Sequence, residues 1–169
     1  CCGSGETPES VAGQREKLAW TQRMIPLGLG AKIAYREGKS AGYTNYLPIE
    51  VAPAPVEGTN ALFIMCIMIP EEYRGQGIAR ALVGAVAEQA AASGLGGVAT
   101  IGTGGHMPAS VYEHLGFQTV DRHEDRRLMW KSLDDTPSPS LMKTTIEPTV
   151  APDAVHIDHV FCSFCNCGG

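Results

Sequence analysis

Ile69-Pro70-Glu71-Glu72-Tyr73-Arg74-Gly75-Gln76-Gly77-Ile78-Ala79 is the stretch on which the fold turns. Before it, Leu62-Phe63-Ile64-Met65-Cys66-Ile67-Met68-Ile69 is an unbroken apolar run, the pattern of a strand buried on both faces. After it, residues 78–93 place Ile78, Leu82, Val83, Val86 and Ala90 on one helical face, with Arg80, Glu88 and Gln89 largely elsewhere. Gly94 then stops the helix. The stretch is therefore a strand–turn–helix junction. Gly75 and Gly77 leave backbone N–H groups uncovered, and the helix start adds free donors and a partial positive charge. That combination suits a phosphate or pyrophosphate, with Arg74 adding a charge-assisted contact. A plain turn would use the same two glycines for geometry alone. No Gly-Lys-Ser/Thr follows, so the turn is not a P-loop. No third glycine follows, so it is not a dinucleotide fingerprint.

Outward from the junction, helix and strand signals continue in both directions. Residues 8–24 open on Pro8 and offer Val11, Leu18 and Trp20 to a helical face. Residues 31–36 and 41–49 read as two strands joined at Glu37-Gly38-Lys39, with Tyr43, Tyr46 and Ile49 as strand formers. Pro53, Pro55 and Gly58 mark a loop. Beyond the central helix come a short strand over 98–101 and a short helix over 108–114 ended by Gly116. A hairpin of strands over 117–121 and 127–131 follows, around a charged turn. This order predicts a mixed α+β or three-layer domain with at least one strand–helix–strand crossover.

The 169 residues suit one domain with an appendage. Hydrophobic residues at 44% can supply a core, and a formal net charge of -5 argues against a nucleic-acid partner. No apolar run approaches the roughly 20 residues that span a bilayer, so no membrane partner is expected. No secretory leader is evident, and a cytoplasmic, reducing location is expected. The composition divides the chain into a domain over 1–132, a Pro/Ser/Thr-rich linker over 133–155 and a Cys/His-rich tail over 156–169.

Arg74-Gly75-Gln76-Gly77-Ile78-Ala79 resembles the acetyl-CoA-binding motif of the GNAT N-acetyltransferase superfamily. Ala109-Ser110-Val111-Tyr112-Glu113-His114-Leu115-Gly116-Phe117 resembles that family's short helix, with its Tyr and the Gly-Phe that opens the next strand. The order of elements over residues 15–131 fits as well. Tyr46-Leu47-Pro48-Ile49-Glu50-Val51-Ala52-Pro53, with Phe63 to Cys66, is similar to YoaP-like members.

The resemblance implies an α+β, GNAT-like three-layer fold, with a mixed central sheet, helices on both faces and an irregular C-terminal tail, and direct transfer of an acetyl group from acetyl-CoA to a small amine or peptide. Backbone amides of Gly75, Gln76, Gly77, Ile78 and Ala79 would hold the pyrophosphate, beside Arg74. Backbone of Ile67, Met68 and Ile69 would hold the pantetheine arm. Tyr112 would donate a proton to the departing thiolate, and its alternative is a packed aromatic that anchors the short helix. The base that takes the proton from the ammonium stays open between Glu50, His106 and a water relay, because residues 62–69 carry no carboxylate and Gly105-His106-Met107 stands where the family often has Asn. Cys66 reads first as a small buried hydrophobe. The alternative from another class is a non-catalytic acyl-CoA-binding or thiol/metal-sensing module on the same fold. Monomer and homodimer are both open.

The cysteines stand apart from this chemistry. Of six, Cys1 and Cys2 open the chain and Cys162, Cys165 and Cys167 nearly close it. His159 with Cys162, Cys165 and Cys167 has the spacing for a thiophilic metal ion, with His156, Cys1 and Cys2 as further donors. A tail of reactive thiols, a Cys162–Cys165 redox pair and the start of a further domain are the other readings.

Overall fold

The computed structural model describes residues 8–104 and 107–142. The chain divides into two units. Helix α1 (Pro8–Met24) belongs to one and, as expected, opens on Pro8. Within it Thr21 Oγ1 donates to the Lys17 carbonyl at 2.8 Å, one turn back. The other unit, Leu27–Met142, holds the sheet and the candidate site.

Six strands form the main sheet of that unit, in the order β1-β2-β4-β5-β7-β6. Strand β1 (Gly30–Arg36) and β2 (Lys39–Pro48) are antiparallel around a turn in which Glu37 and Gly38 both have positive φ, 51° and 76°. Two such residues give a turn whose twist matches the flanking strands. Strand β4 (Ala61–Met68) lies antiparallel to β2, with a bulge that leaves Met65 unpaired in that ladder. Helix α2 (Ile78–Ala92) then crosses to β5 (Gly97–Gly102), which runs parallel to β4. This is the crossover that the alternation of strand and helix predicted. Helix α3 (Ala109–His114) leads to β6 (Gln118–His123) and β7 (Arg126–Ser132), whose hairpin closes on β5.

The core sits between the sheet and its helices. Leu82, Val83, Val86, Ala87 and Ala90 of α2 pack with Leu62 and Ile64 of β4, Val98 of β5 and Met129 of β7. Tyr112 of α3 and Phe117 join the same cluster, so α2 and α3 share one face of the sheet. The period of two in each strand turns Phe63, Met65, Ala99, Leu128 and Trp130 to the opposite face, where they are also buried. The mixed six-stranded sheet with its helices is the α+β architecture expected.

The packed unit runs past residue 132, where the linker was expected to begin. Strand β3 (Val56–Glu57) pairs with β8 (Ser140–Leu141), neither of which the sequence pattern signals. Leu141 is buried, and its backbone N–H donates to Asp121 Oδ2 at 2.9 Å. Asn60 Nδ2 donates to Thr136 Oγ1 at 2.9 Å. The Thr136 hydroxyl and amide hold the exposed Asp134 carboxyl below its ordinary range. Residues 133–142 are thus stitched onto the domain by hydrogen bonds to residues distant along the chain and by one buried leucine. No helix among the described residues is long and apolar enough to cross a membrane.

Candidate active site

The site begins where β4 and β5 part. Their parallel pairing covers Ala61–Gly97, Leu62–Val98 and Phe63–Ala99, then stops, although β4 continues to Met68 and β5 to Gly102. At the next step, Ile64 and Thr100, a side chain stands in for the ladder: Thr100 Oγ1 donates to the Ile64 carbonyl at 3.0 Å. Past that point the edge of β4 that faces away from β2 has no strand partner among the described residues. Strand edges without partners present backbone donors and acceptors to whatever lies beside them.

Helix α2 starts beside that free edge. Pro70 fixes an extended entry, Glu71–Tyr73 makes one 3₁₀ turn, and Arg74 N–H donates to the Glu71 carbonyl at 3.1 Å. Gly75 and Gly77 are both in the left-handed region, at φ 73° and 81°. A Cβ at either would meet nothing within 4 Å, so backbone conformation and not crowding calls for glycine there. Gly77 is the N-cap and supplies no capping side chain; the first intrahelical bond runs from Ala81 N–H to the Gly77 carbonyl at 3.1 Å. The amides of Ile78, Ala79 and Arg80 thus precede the first intrahelical donor and have no acceptor within the helix. Arg74 Nε reaches the Ile69 carbonyl at 3.4 Å, and Gln76 Nε2 donates to the Glu72 carbonyl at 2.7 Å, so the Gln76 side chain folds back on the turn.

A cleft of about 630 Å³ runs along these elements. Ile67, Met68 and Ile69 form one wall. Arg74, Gly75, Gly77, Ile78 and Ala79 form the end that the helix start faces. Eight of the nine residues expected to hold the cofactor therefore line one cavity, and Gln76 is the exception. Pro108, Val111 and Leu115 close the far side with an apolar surface. Arg80 also lines the cleft, although the helical pattern set it apart from the apolar face. The signal that could have found it is a cation in the third helical position after a glycine turn. Arg80 Nη2 approaches the His114 carbonyl of α3 at 3.4 Å, which tethers the two sides.

Tyr112 does not line the cleft, although Val111 beside it does. It is 1% exposed, and its ring meets Phe117 edge-on with centroids 5.5 Å apart. Its hydroxyl lies 3.4 Å from Thr100 Oγ1, at the apex where β4 and β5 separate. Burial pushes the phenol up to about 12; the hydrogen bond with Thr100 works against that shift, and the nearby Cys66 adds to it. Tyr112 therefore keeps its proton through the physiological range. Cys66 is half-buried beside the bulge, not fully buried as expected, and its carbonyl accepts from Thr44 Oγ1 at 2.8 Å.

Glu50 stands elsewhere. It lies in a 3₁₀ turn, Ile49–Val51, and its Oε1 accepts from the Asn60 backbone N–H at 2.8 Å. Asn60 has φ 59°, so Glu50 holds a turn residue in an unfavourable conformation, and it lines no part of the cleft. His106 lies outside the described residues, as do Cys1, Cys2, His156, His159, Cys162, Cys165 and Cys167. Among the described residues no group of three or more His, Cys, Asp or Glu is placed to hold a metal ion.

A parted pair of parallel strands, with a glycine turn and an uncapped helix beside the gap, defines an α+β scaffold with open backbone groups along one cleft. The profile of the Acetyltransferase (GNAT) family matches residues 5–117, and the chain belongs to that family. The curated relative "Uncharacterized N-acetyltransferase YoaP" of Bacillus subtilis is 26% identical over 147 residues, covering 82% of this chain and 57% of the relative. The chain thus spans little more than half the length of that relative. Among solved structures, a GNAT-family putative acetyltransferase from Desulfovibrio desulfuricans superposes with a TM-score of 0.57 at 20% identity, over 78% of this chain and 86% of that one. The YncA putative acetyltransferase of Salmonella typhimurium, solved with acetyl-CoA, gives 0.56 at 18% identity, over 73% and 76%. PaiA N-acetyltransferase of Thermoplasma acidophilum, solved with coenzyme A, gives 0.54 at 15% identity, over 69% and 67%. At these identities the likeness establishes the shared fold.

Proposed function

We propose that this chain transfers the acetyl group of acetyl-CoA to a primary amine, on a small molecule or a peptide. The observation that carries the reading is the uncapped α2 start behind Gly75 and Gly77, opening into the same cleft as the unpaired edge of β4. In this reading the amides of residues 75–79 take the pyrophosphate, with Arg74 and Arg80 supplying charge that an acidic chain otherwise lacks. The backbone of Ile67, Met68 and Ile69 takes the pantetheine amides as a substitute strand, and the apolar α3 wall covers the arm.

The thioester then lies toward the strand apex, near Tyr112. The amine nitrogen attacks the thioester carbonyl carbon, an N–C bond forms and the C–S bond breaks. The ammonium proton leaves to a base or water, and the sulfur departs as a thiolate. Holding both reactants in line supplies much of the acceleration. Tyr112 is the donor to that thiolate. A phenol near 12 gives up its proton reluctantly to a thiolate whose free value is ~8.5. Its principal contribution is therefore a hydrogen bond to the developing charge, with the proton finally supplied from solvent. The engagement of Glu50 with Asn60 favours His106 or a water relay as the base.

Isothermal titration with acetyl-CoA and release of CoA thiol in the presence of primary amines test the reading. Micromolar binding together with amine-dependent thiol release is expected. Binding without release from any amine leaves only a non-catalytic acyl-CoA module, and no binding at millimolar acetyl-CoA removes both.

A further inference from the structure

Thr100 is one of two buried polar side chains among the described residues, at 2% exposure, and it lies on β5 at the first step where β5 no longer pairs with β4. Its hydroxyl oxygen is 3.0 Å from the Ile64 carbonyl and 3.4 Å from the Tyr112 hydroxyl. These three oxygens join β4, β5 and α3 at one point. A buried hydroxyl is retained against the cost of desolvation only where it is bonded, and valine has the same shape without that cost. The hydroxyl therefore does something that packing alone does not require.

Proton counting shows what that is. A threonine hydroxyl has one proton and can also accept, whereas a carbonyl only accepts. In one state Thr100 donates to Ile64 and accepts from Tyr112. In the other Thr100 donates to Tyr112, which leaves the Tyr112 proton free to point elsewhere. Rotation of both hydroxyls, about the Thr100 Cβ–Oγ1 and Tyr112 Cζ–Oη bonds, exchanges the two, with no heavy atom displaced.

We propose that Thr100 is a positioning residue for the transfer: at rest its proton fills the missing ladder position on the Ile64 carbonyl while its oxygen accepts from Tyr112, and during transfer its proton turns to the Tyr112 oxygen so that the Tyr112 proton turns to the departing sulfur. This rests on the reading of Tyr112 as donor to the thiolate. The alternation of states makes the donor available only when negative charge develops nearby, since the resting state spends the Tyr112 proton on Thr100. The lowering influence of Thr100 on the Tyr112 phenol runs in the same sense, since donation from Thr100 stabilises charge on the Tyr112 oxygen.

The test is a series on the full chain: Thr100→Val, Thr100→Ser, Tyr112→Phe and the Thr100→Val/Tyr112→Phe double variant. Turnover is read as CoA thiol release from acetyl-CoA with a panel of primary amines (a polyamine, an amino acid, an aminoglycoside and a short peptide), and on acetyl-CoA hydrolysis without an amine. Thr100→Val is expected to lower kcat about tenfold with KM for acetyl-CoA within about twofold. Thr100→Ser should recover to within about threefold of the parent, which a purely steric role would not allow. The double variant should be no slower than Tyr112→Phe alone, because both changes remove one unit. Carbon-13 NMR at the tyrosine Cζ, with Tyr112 assigned by its loss in Tyr112→Phe, reads the contact without any substrate. The Tyr112 signal should move in Thr100→Val and stay in place in Thr100→Ser. An immobile signal in a folded Thr100→Val overturns the proposal, as do parental kcat in that variant or losses that multiply in the double variant. Parental turnover in Tyr112→Phe removes the donor reading and this inference with it. A slow Tyr112→Phe beside an unimpaired Thr100→Val removes this inference alone.

Discussion

At the α2 end of the cleft, backbone amides follow two left-handed glycines with no side chain to cap them. At the strand apex, the hydroxyls of Thr100 and Tyr112 are buried and bonded to one another. The first region is polar backbone left open, and the second is polar side chain closed in. The difference teaches what the two tasks of the proposed transfer each require. Holding a phosphate needs donors that are ready and uncovered, because the ligand itself completes their hydrogen bonding. Assisting a leaving group needs one donor in a dry place, where the interaction is strengthened and the group keeps its proton.

The comparison breaks most visibly at Tyr112. Tyr112→Phe removes only the hydroxyl, and kcat is expected to fall roughly 100-fold, with KM for acetyl-CoA within about threefold, as read by thiol release. A fall below about twofold would reduce Tyr112 to a packed aromatic. The same residue should make the fold sensitive to alkali. Burial raises its pKa from 10.0 to about 12, so the folded state favours the neutral phenol. The stabilisation is fully present below pH 10 and is lost as the pH rises from 10 toward 12, about 3 kcal/mol in full. Denaturant midpoints measured between about pH 9 and 11.5 should fall less steeply for Tyr112→Phe than for the parent, and equal slopes would contradict the burial.

At the open end the effects are smaller and fall on binding. Gly77→Ala puts a methyl where φ is 81°, at a cost of about 1 kcal/mol in backbone strain. Nothing within 4 Å clashes with the new Cβ, so the fold should persist. Titration should show acetyl-CoA affinity about tenfold weaker, the loss of about 1.4 kcal/mol of backbone contact. An unchanged affinity would mean that the turn does not hold the cofactor. The smallest effect is expected at Glu50, outside both regions. Glu50→Gln keeps an acceptor for the Asn60 N–H, and turnover should stay within about threefold. A loss of about tenfold would return Glu50 to consideration as the base.

Much of the open region was legible in the linear pattern. A glycine turn, a strand before it and an amphipathic helix after it are all local, and the structure adds that Gly75 and Gly77 stand at positive φ. The buried region was less legible. Tyr112 was picked out by the Val111-Tyr112 to Gly116-Phe117 resemblance, but its partner Thr100 lies twelve residues away on another element. No period or spacing marks a threonine whose role depends on two strands parting at Phe63 and Ala99. Strands β3 and β8 escaped for a related reason. Two residues cannot display alternation, and Val56 and Leu141 stand so far apart along the chain that no local pattern marks their pairing.

The sequence by itself determined the alternation of strand and helix, the central apolar strand and the glycine turn at Arg74 to Ala79, because those depend on side chains and backbone freedom within a few residues. Only the tertiary structure decided where β4 leaves β5, that Arg80 shares the cleft with Arg74, that Glu50 serves a turn and that Thr100 meets Tyr112. Each of these depends on which distant groups are brought within hydrogen-bond distance, and burial then sets what such a contact is worth.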